Sequence, residues 1–145
     1  MIYREANTLD IEAMHVIRLA VKENVLGNPL AVTESDYINF ITTKGKGWVC
    51  EFNNKILGFA IIDTESNNIW ALFVDPEHER KGIGTKLHNM MLDWYFAQYS
   101  ERLWLGTTPN SKAEKLYRKK GWKEIGVEKN GDLRFELTSS DRKLI

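Results

Sequence analysis

Two glycines separated by one residue stand where an apolar strand pattern gives way to a helical one. Gly82 and Gly84 lie in the stretch RKGIGT (80–85), beside Arg80 and Lys81. Glycine lets the backbone approach a ligand closely, and the first N–H groups of a helix are unpaired and carry partial positive charge. With two flanking cations, these features are typical of a phosphate-binding turn. A plain turn whose charges face solvent is the alternative interpretation.

The spacing of the glycines excludes two common nucleotide-binding motifs. A P-loop requires G-x-x-x-x-G-K-[ST], whereas Gly82 and Gly84 are only two positions apart. A dinucleotide-binding fingerprint requires a third glycine where Leu87 stands, and it opens the first βαβ unit of its domain. The turn therefore indicates a phosphate ligand of another kind.

The patterns on either side of the turn predict the elements that position it. NIWALFV (68–74) is almost wholly apolar, as expected for a central strand covered on both faces, and Pro76 ends it because proline lacks the ladder N–H. A helix follows the turn, with an apolar face that runs from Ile83 to Tyr95. RLWLGT (102–107) predicts the next strand.

Caps and apolar periodicity predict three further helices. The first has an apolar face that extends to Val25, and GNP (27–29) ends it. Gly121 suits the left-handed end of the last helix. The predicted cap residues, in chain order, are Asn7 or Thr8, Thr33 with Asp36, and Ser111 with Glu114.

Two short turns predict hairpins. Asn53-Asn54 joins GWVCEF to KILGFAIID, and Asn130-Gly131 joins WKEIGVEK to DLRFELT. With MIYR as an opening strand, the predicted order is β-α-α-β-β-β-α-β-α-β-β. One sheet must then mix hairpins with strand–helix–strand crossovers. No linker or repeat divides the chain, so we expect one domain over residues 1–145.

Two segments resemble the signature motifs of the GCN5-related N-acetyltransferase (GNAT) superfamily. VDPEHERKGIGTKLHNMML resembles motif A, in which a strand ending near V-x-P precedes [RQ]-x-x-G-x-[GA] and a helix. Motif B, N-x-x-A-x-x-[LF]-Y-x-x-x-G-[FW], is matched at Asn110, Ala113, Leu116, Tyr117, Gly121 and Trp122. The element order is also that of the superfamily, and the resemblance covers residues 1–138.

The resemblance implies a fold, an activity and a cofactor. The fold is α+β of the three-layer type: a mixed, mostly antiparallel sheet of six to seven strands flanked by about four helices. The activity is transfer of an acetyl group from acetyl-CoA to a primary amine of a small molecule or peptide, by direct attack in a ternary complex. Strands 68–74 and 102–107 are implied to splay apart and admit the pantetheine arm.

The resemblance also assigns the cofactor-binding residues. The diphosphate would lie on the turn at 80–85, and the arm would pair with the strand edge at 72–74. Asn110 would either bond the arm or cap the next helix, and both interpretations stay open. The implied cofactor-binding residues are Leu72, Phe73, Val74, Arg80, Lys81, Gly82, Ile83, Gly84, Thr85 and Asn110.

Acyl transfer to an amine needs a base, an oxyanion donor and an acid for the departing thiolate. Tyr117 stands at the superfamily's position for the acid, and a phenol of pKa about 10 matches a thiolate of similar basicity. A core aromatic residue is the alternative interpretation of Tyr117. The implied oxyanion donor is a backbone N–H near Phe73 and Val74.

Glu79 departs from the superfamily pattern, because it occupies the [RQ] position of motif A. A carboxylate next to a diphosphate would be repelled. We therefore expect either that Glu79 turns to solvent or that the affinity for the cofactor is reduced.

The base is the second departure, because many relatives carry a glutamate on the strand before the glycine turn and IWALFV has none. Asp63, Glu65, Glu23 and His15 are candidates to act through water, and each is also explained as a solvated surface residue. The acceptor site is implied between the first two helices, their loop (27–33) and the last hairpin. Its candidate aromatic walls, alternatively core residues, are Trp48, Trp70 and Trp104.

Composition sets broad limits on partners. The 145 residues carry 20 Lys and Arg against 20 Asp and Glu, so no net field favours nucleic acid or a membrane. Cys50 is the single cysteine, which fits a reducing compartment, and His78 and His88 have no metal-ligand spacing. The sequence has no signal pattern and no apolar run of roughly 20 residues. We expect a cytoplasmic protein without metal, nucleic-acid or membrane partners, and leave a homodimer open.

Two other functions compete with catalysis. A non-catalytic acyl-CoA sensor is favoured by the missing strand carboxylate, and an interaction module with a degenerate site is favoured by Glu79 alone.

Overall fold

The strands of the chain join into one open sheet. The computed structural model describes residues 1–21 and 32–142. Within these ranges the elements are β1 (Ile2–Glu5), α1 (Ile11–Ala20), α2 (Glu34–Thr42), β2 (Gly45–Phe52), β3 (Lys55–Asp63), β4 (Asn68–Val74), α3 (Ile83–Phe96), β5 (Leu103–Thr107), α4 (Lys112–Lys119), β6 (Lys123–Val127) and β7 (Leu133–Leu137). The strand order is β1-β2-β3-β4-β5-β7-β6, and only β4 and β5 pair in parallel. The predicted α+β fold and element order are therefore confirmed.

The turn chemistry of the hairpins follows the sequence. Asn53 and Asn54 both adopt positive φ, at 51° and 62°, and join β2 to β3. Gly131 has a φ of 92° in the turn between β6 and β7. The predicted capping box of α2 is present: Asp36 N donates to Thr33 Oγ1 at 3.2 Å, and Thr33 N donates to Asp36 Oδ2 at 2.8 Å.

The first helix is shorter than predicted. α1 ends at Ala20, and Val21 has extended backbone angles, so the helix does not continue through the predicted apolar face. Asn7 caps a short 3₁₀ turn before α1 rather than α1 itself. Val25 and the predicted stop at 27–29 lie outside the described residues.

The sheet separates two cores. On one face α3 and α4 pack against the strands, with Met91 and Tyr95 fully buried. On the other face α1 and α2 pack, with Met14 and Tyr37 buried. Each large apolar side chain buried in these layers contributes roughly 1.5–3 kcal/mol. In the described ranges no helix is long and apolar enough to cross a membrane.

A bulge interrupts β4, the middle strand. Ile61 pairs with Ala71 while Ile62 pairs with Ile69, so Trp70 is an extra residue that opposes no partner. Trp70 and Ala71 therefore both point to the core under α1 and α2. A bulge of this kind bends a strand and redirects its side chains.

β4 and β5 diverge from a single contact point. Their one register pair is Asn68 with Trp104, where Asn68 Nδ2 donates to the Trp104 carbonyl at 3.2 Å. Beyond that pair the strands separate, which agrees with the splaying implied by the resemblance. The β4 side chains at 70, 72, 73 and 74 stay partly exposed, so this strand is central but is not covered on both faces as predicted.

Candidate active site

The gap between β4 and β5 opens into a cavity of about 1090 Å³. The whole of β4 lines it, together with β5, the turn before α3, the first two turns of α4 and the tip of the last hairpin. Its volume is slightly above the usual range for small-molecule sites. The cavity therefore has room for a long ligand that enters between the diverging strands.

The N-terminus of α3 forms one end of the cavity and carries no side-chain cap. Its cap residue is Gly82, with a φ of 78°, whereas Thr33 and Ser111 cap α2 and α4 with their side chains. A Cβ added to Gly82 would meet no atom within 4 Å, so the backbone there faces open space. Free N–H groups, the helix dipole and the adjoining Arg80 suit an anion such as a phosphate.

Most of the predicted cofactor-binding residues meet at this cavity. Those that line it are Leu72, Phe73, Val74, Arg80, Gly82, Ile83, Gly84 and Thr85. Lys81 is exposed and does not line it. The cofactor role of each of these residues stays a prediction.

Asn110 also lies outside the cavity lining. The helix α4 is capped by Ser111, whose Oγ accepts from Glu114 N at 3.1 Å. Glu114 Oε1 accepts from the backbone N–H of Asn110 at 2.8 Å, and Asn110 has a φ of 63°. Capping of α4 by the Asn110 side chain is therefore wrong, and a bond to the cofactor arm stays a prediction.

Tyr117 lines the cavity from α4 and is only 5 % exposed. Its ring packs against Trp122 and His88, with centroid distances of 5.6 Å and 6.3 Å. Burial raises the pKa of Tyr117 well above its usual value, so the phenol keeps its proton over the whole working pH range. Tyr117 is therefore a core aromatic residue that also lines the cavity, and its role as the acid stays a prediction.

A buried hydrogen bond fixes the wall behind Tyr117. Trp122 Nε1 donates to His88 Nε2 at 3.0 Å, and His88 Nδ1 lies 2.9 Å from Asn89 Oδ1. Because Nε2 accepts, the neutral ring carries its proton on Nδ1 and donates it to Asn89. Burial lowers the pKa of His88 to about 4. Among the described residues no group of three or more metal-ligating side chains exists.

Glu79 does not simply turn to solvent, and the reduced affinity for the cofactor stays a prediction. Its Oε2 lies 2.6 Å from Nζ of Lys112, the first residue of α4, and both residues line the cavity. The Lys112 ammonium neutralises the carboxylate that stands where relatives carry arginine or glutamine. The sequence-based prediction missed Lys112 because 33 positions separate the two residues.

The candidate bases that the structure describes are not at the cavity. Asp63 Oδ1 accepts from the backbone N–H groups of Glu65 and Ser66, which is a turn-stabilising role. His15 Nδ1 lies 3.1 Å from the Tyr37 hydroxyl, and neither His15, Asp63 nor Glu65 lines the cavity. Glu23 lies outside the described residues. Among the described residues, the carboxylates that line the cavity are Glu79, Glu128 and Asp132.

The three tryptophans divide between the cavity and the core. Trp70 and Trp104 line the cavity, whereas Trp48 is buried against Trp94 on the α3 side of the sheet. Trp48 is therefore a core residue rather than a wall of the site.

Arg18 also lines the cavity, and the prediction from sequence did not include it. The sequence feature that could have indicated Arg18 is its position within the apolar stripe of α1.

The comparison with protein families gives the class to which this geometry belongs. Residues 11–122 match the model of the acetyltransferase (GNAT) family. The chain therefore belongs to this family. An uncharacterised N-acetyltransferase of Methanocaldococcus jannaschii is 34 % identical over 94 residues, which are 57 % of this chain. The aligned part is 41 % of that relative, so the chain spans less than half of its length.

Solved structures share the fold at low sequence identity. The PaiA N-acetyltransferase of Thermoplasma acidophilum, in complex with coenzyme A, has a TM-score of 0.82 at 15 % identity, over 94 % of this chain and 98 % of that one. The ribosomal-protein-S18-alanine N-acetyltransferase of Escherichia coli has a TM-score of 0.75 at 20 % identity, over 94 % of this chain and 92 % of that one. These likenesses establish the three-layer fold.

Proposed function

We propose that the chain is an acyl-CoA-dependent N-acetyltransferase that acts on a primary amine of a small molecule or peptide, by direct attack in a ternary complex. The observation that carries the proposal is the cavity between β4 and β5, which joins an uncapped helix N-terminus to Tyr117. Family membership supports acetyl transfer, and the Thermoplasma relative of the same fold was crystallised with coenzyme A.

The residues present fit acetyl-CoA in charge and in shape. The backbone of Gly82 to Thr85 would hold the diphosphate, because its N–H groups are uncapped and Gly82 leaves the approach open. The edge of β4 at Leu72 to Val74 would hold the pantetheine arm, because none of the described strands pairs with this edge. When bound, acetyl-CoA supplies an acetyl group activated as a thioester.

Three tasks then fall to this chain. Tyr117 Oη holds the proton for the departing thiolate, and the burial that raises its pKa also makes a neighbouring thiolate more basic. Backbone N–H groups of β4 near Phe73 and Val74 can stabilise the oxyanion. The attacking amine must lose its proton to water or to a cavity carboxylate. Among these carboxylates, Glu128 forms an ion pair with Arg134, with 3.2 Å between Glu128 Oε1 and Arg134 Nη1.

A sensor that binds acyl-CoA without turning it over is the second candidate. It is favoured by β4, which carries no carboxylate, and by Glu79, which is already paired with Lys112. Enzyme and sensor share the cofactor site and differ only in release of free CoA.

A screen of amines with acetyl-CoA, read by the appearance of free thiol, tests the proposal. An enzyme releases thiol in proportion to a particular amine and above the rate of thioester hydrolysis without amine. Saturable acetyl-CoA binding with no amine-dependent thiol release across small amines, polyamines and peptide N-termini would favour the sensor.

A further inference from the structure

Within residues 1–21 and 32–142, Arg18 is a buried cation without a counterion. It lies in α1 beside Met14 and Ile17, is 8 % exposed and lines the cavity. Its Nε and Nη1 atoms are buried and have no hydrogen-bond partner in the part of the chain that the structure describes. The guanidinium instead lies over two rings, 4.7 Å from the centroid of Trp70 and 5.0 Å from that of Phe73.

The groups around Arg18 do not neutralise its charge. Tyr37 lies beside it, and burial raises the pKa of Tyr37 in spite of the opposing effect of the Arg18 charge. His15 contacts Tyr37 from the same helix as Arg18. No carboxylate in residues 1–21 or 32–142 forms an ion pair with Arg18. Two aromatic faces offset only part of the cost of burying a cation.

Arg18 lies apart from the glycine turn at 80–85, which is the proposed site of the diphosphate. Trp70 and Phe73, the rings that it contacts, face the core under α1 and α2. The turn at 80–85 leads into α3, which covers the opposite face of the sheet. Arg18 therefore lines the α1 and α2 side of the cavity, away from the glycine turn.

We infer that Arg18 forms a subsite for a carboxylate that one of the two substrates carries into the cavity. The inference rests on the proposed function and narrows its substrate class. A planar guanidinium with unfilled donors recognises a carboxylate more specifically than an ammonium does. The carboxylate belongs either to the acceptor, as in an amino acid, or to the acyl group, as in a dicarboxylic acyl-CoA.

Two pairs of matched probes separate these sources by equilibrium binding. The acceptor arm compares 4-aminobutyrate with butylamine, on the free protein and on its complex with CoA. The acyl arm compares succinyl-CoA with butyryl-CoA. Each arm is run on the wild type, Arg18→Met and Arg18→Lys. The control is Arg102→Met, which removes an exposed arginine that pairs with Glu136 and does not line the cavity.

The inference predicts that the carboxylated probe of one arm binds the wild type about tenfold tighter or more than its partner, as one charged contact allows. Arg18→Met removes that preference, Arg18→Lys retains part of it, and Arg102→Met leaves it intact. Butyryl-CoA affinity stays within about twofold in every variant, since a twofold change is well under 1 kcal/mol.

A wild type without preference in either arm, or a preference that Arg18→Met leaves unchanged, would overturn the subsite. This result is independent of whether the variants fold, because the first comparison needs the wild type alone. Loss of all acyl-CoA binding in the wild type, with Arg18-dependent binding of 4-aminobutyrate, would instead overturn the proposed function and leave the subsite in place.

Discussion

Tyr117 combines two properties that an acid for a thiolate needs, a retained proton and access to the cavity. Replacing Tyr117 with phenylalanine removes only the hydroxyl, so the packing against Trp122 and His88 persists. We expect kcat to fall by about 10²-fold, the lower range for general acid catalysis, while CoA affinity is unchanged. Steady-state rates by thiol release and CoA titration measure both.

The matched control for this change is Tyr99→Phe, which alters a tyrosine that stacks on Tyr95 and does not line the cavity. Equal kcat for Tyr117→Phe and the wild type would show that Tyr117 does not act as the acid for the thiolate.

The Glu79–Lys112 pair makes a second residue-scale prediction. Its members oppose each other in their effect on an anionic ligand at the cavity. Glu79→Gln should tighten CoA binding and Lys112→Gln should weaken it, each by about twofold to fivefold, the range of a partly exposed charge contact. Titration with CoA at low and high salt measures this, and the differences should shrink as salt rises.

Lys119→Gln provides the control, because it removes an exposed lysine of α4 that does not line the cavity. Identical CoA affinities for the wild type and both pair variants would show that the pair lies too far from the bound anion to matter.

His88 makes stability depend on pH. Its pKa falls from an ordinary value of 6.5 to about 4 on folding. The neutral ring therefore contributes stability that is fully present above pH 6.5 and is lost as the pH falls toward 4. This group alone should lower the free energy of unfolding by about 2 kcal/mol between pH 7 and pH 5. Urea unfolding at several pH values measures the slope.

His88→Gln is the variant that isolates this effect. Its amide oxygen can still accept from the Trp122 indole, but the side chain does not titrate. A variant with the same loss of stability between pH 7 and pH 5 as the wild type would place the titrating group elsewhere.

At the scale of elements, the uncapped N-terminus of α3 is the feature that most depends on one residue. Gly82→Ala places a Cβ in the open space where an anion would approach, at a φ of 78°. We expect CoA affinity to fall about tenfold or more, which corresponds to at least about 1.4 kcal/mol. The left-handed backbone also costs the folded state roughly 1–2 kcal/mol.

Gly131→Ala separates these two effects. Gly131 has a φ of 92° and open space around its Cα, but it does not line the cavity. Its substitution should cost similar stability in urea unfolding and leave CoA affinity unchanged. Equal losses of CoA affinity in the two variants would mean that backbone strain explains the effect of Gly82→Ala, and that the blocked approach to the N-terminus of α3 does not.

The elements themselves were predictable because their signals are local. Thr33 with Asp36 and Asn53 with Asn54 act over two to four residues, and the structure contains both as the sequence indicates. The bulge at Trp70 was not predictable, because it depends on the register of β4 against β3. The end of α1 at Ala20 was missed because the apolar spacing continues past the last helical residue.

Part of the candidate site was also predictable, because some of its residues belong to short local motifs. The glycine turn could be recognised from its local pattern, and Tyr117 was assigned through the resemblance to motif B. The Glu79–Lys112 pair joins the turn before α3 to the start of α4, which only the tertiary structure brings together. Arg18 was overlooked because helical periodicity marks its position as core and says nothing of a missing counterion.

At the scale of the whole molecule, the sheet separates the glycine turn from Arg18. α3 and its glycine turn lie with one core, and α1 with Arg18 lies with the other. The diverging strands β4 and β5 connect the two sides. This arrangement would bring an anion-binding end and an acceptor end together across a single slot.

Binding of acetyl-CoA to the wild-type chain is the measurement that tests this account most directly. Ligand at about 100 times Kd should raise the free energy of unfolding by about 2.7 kcal/mol. For a chain of this size that corresponds to a rise in Tm of roughly 5–10 °C. We predict a Tm that rises with the logarithm of the acetyl-CoA concentration above Kd, and a rise that Gly82→Ala weakens and Gly131→Ala does not. An unchanged Tm at a millimolar excess of acetyl-CoA, together with no heat of binding on titration, would contradict it.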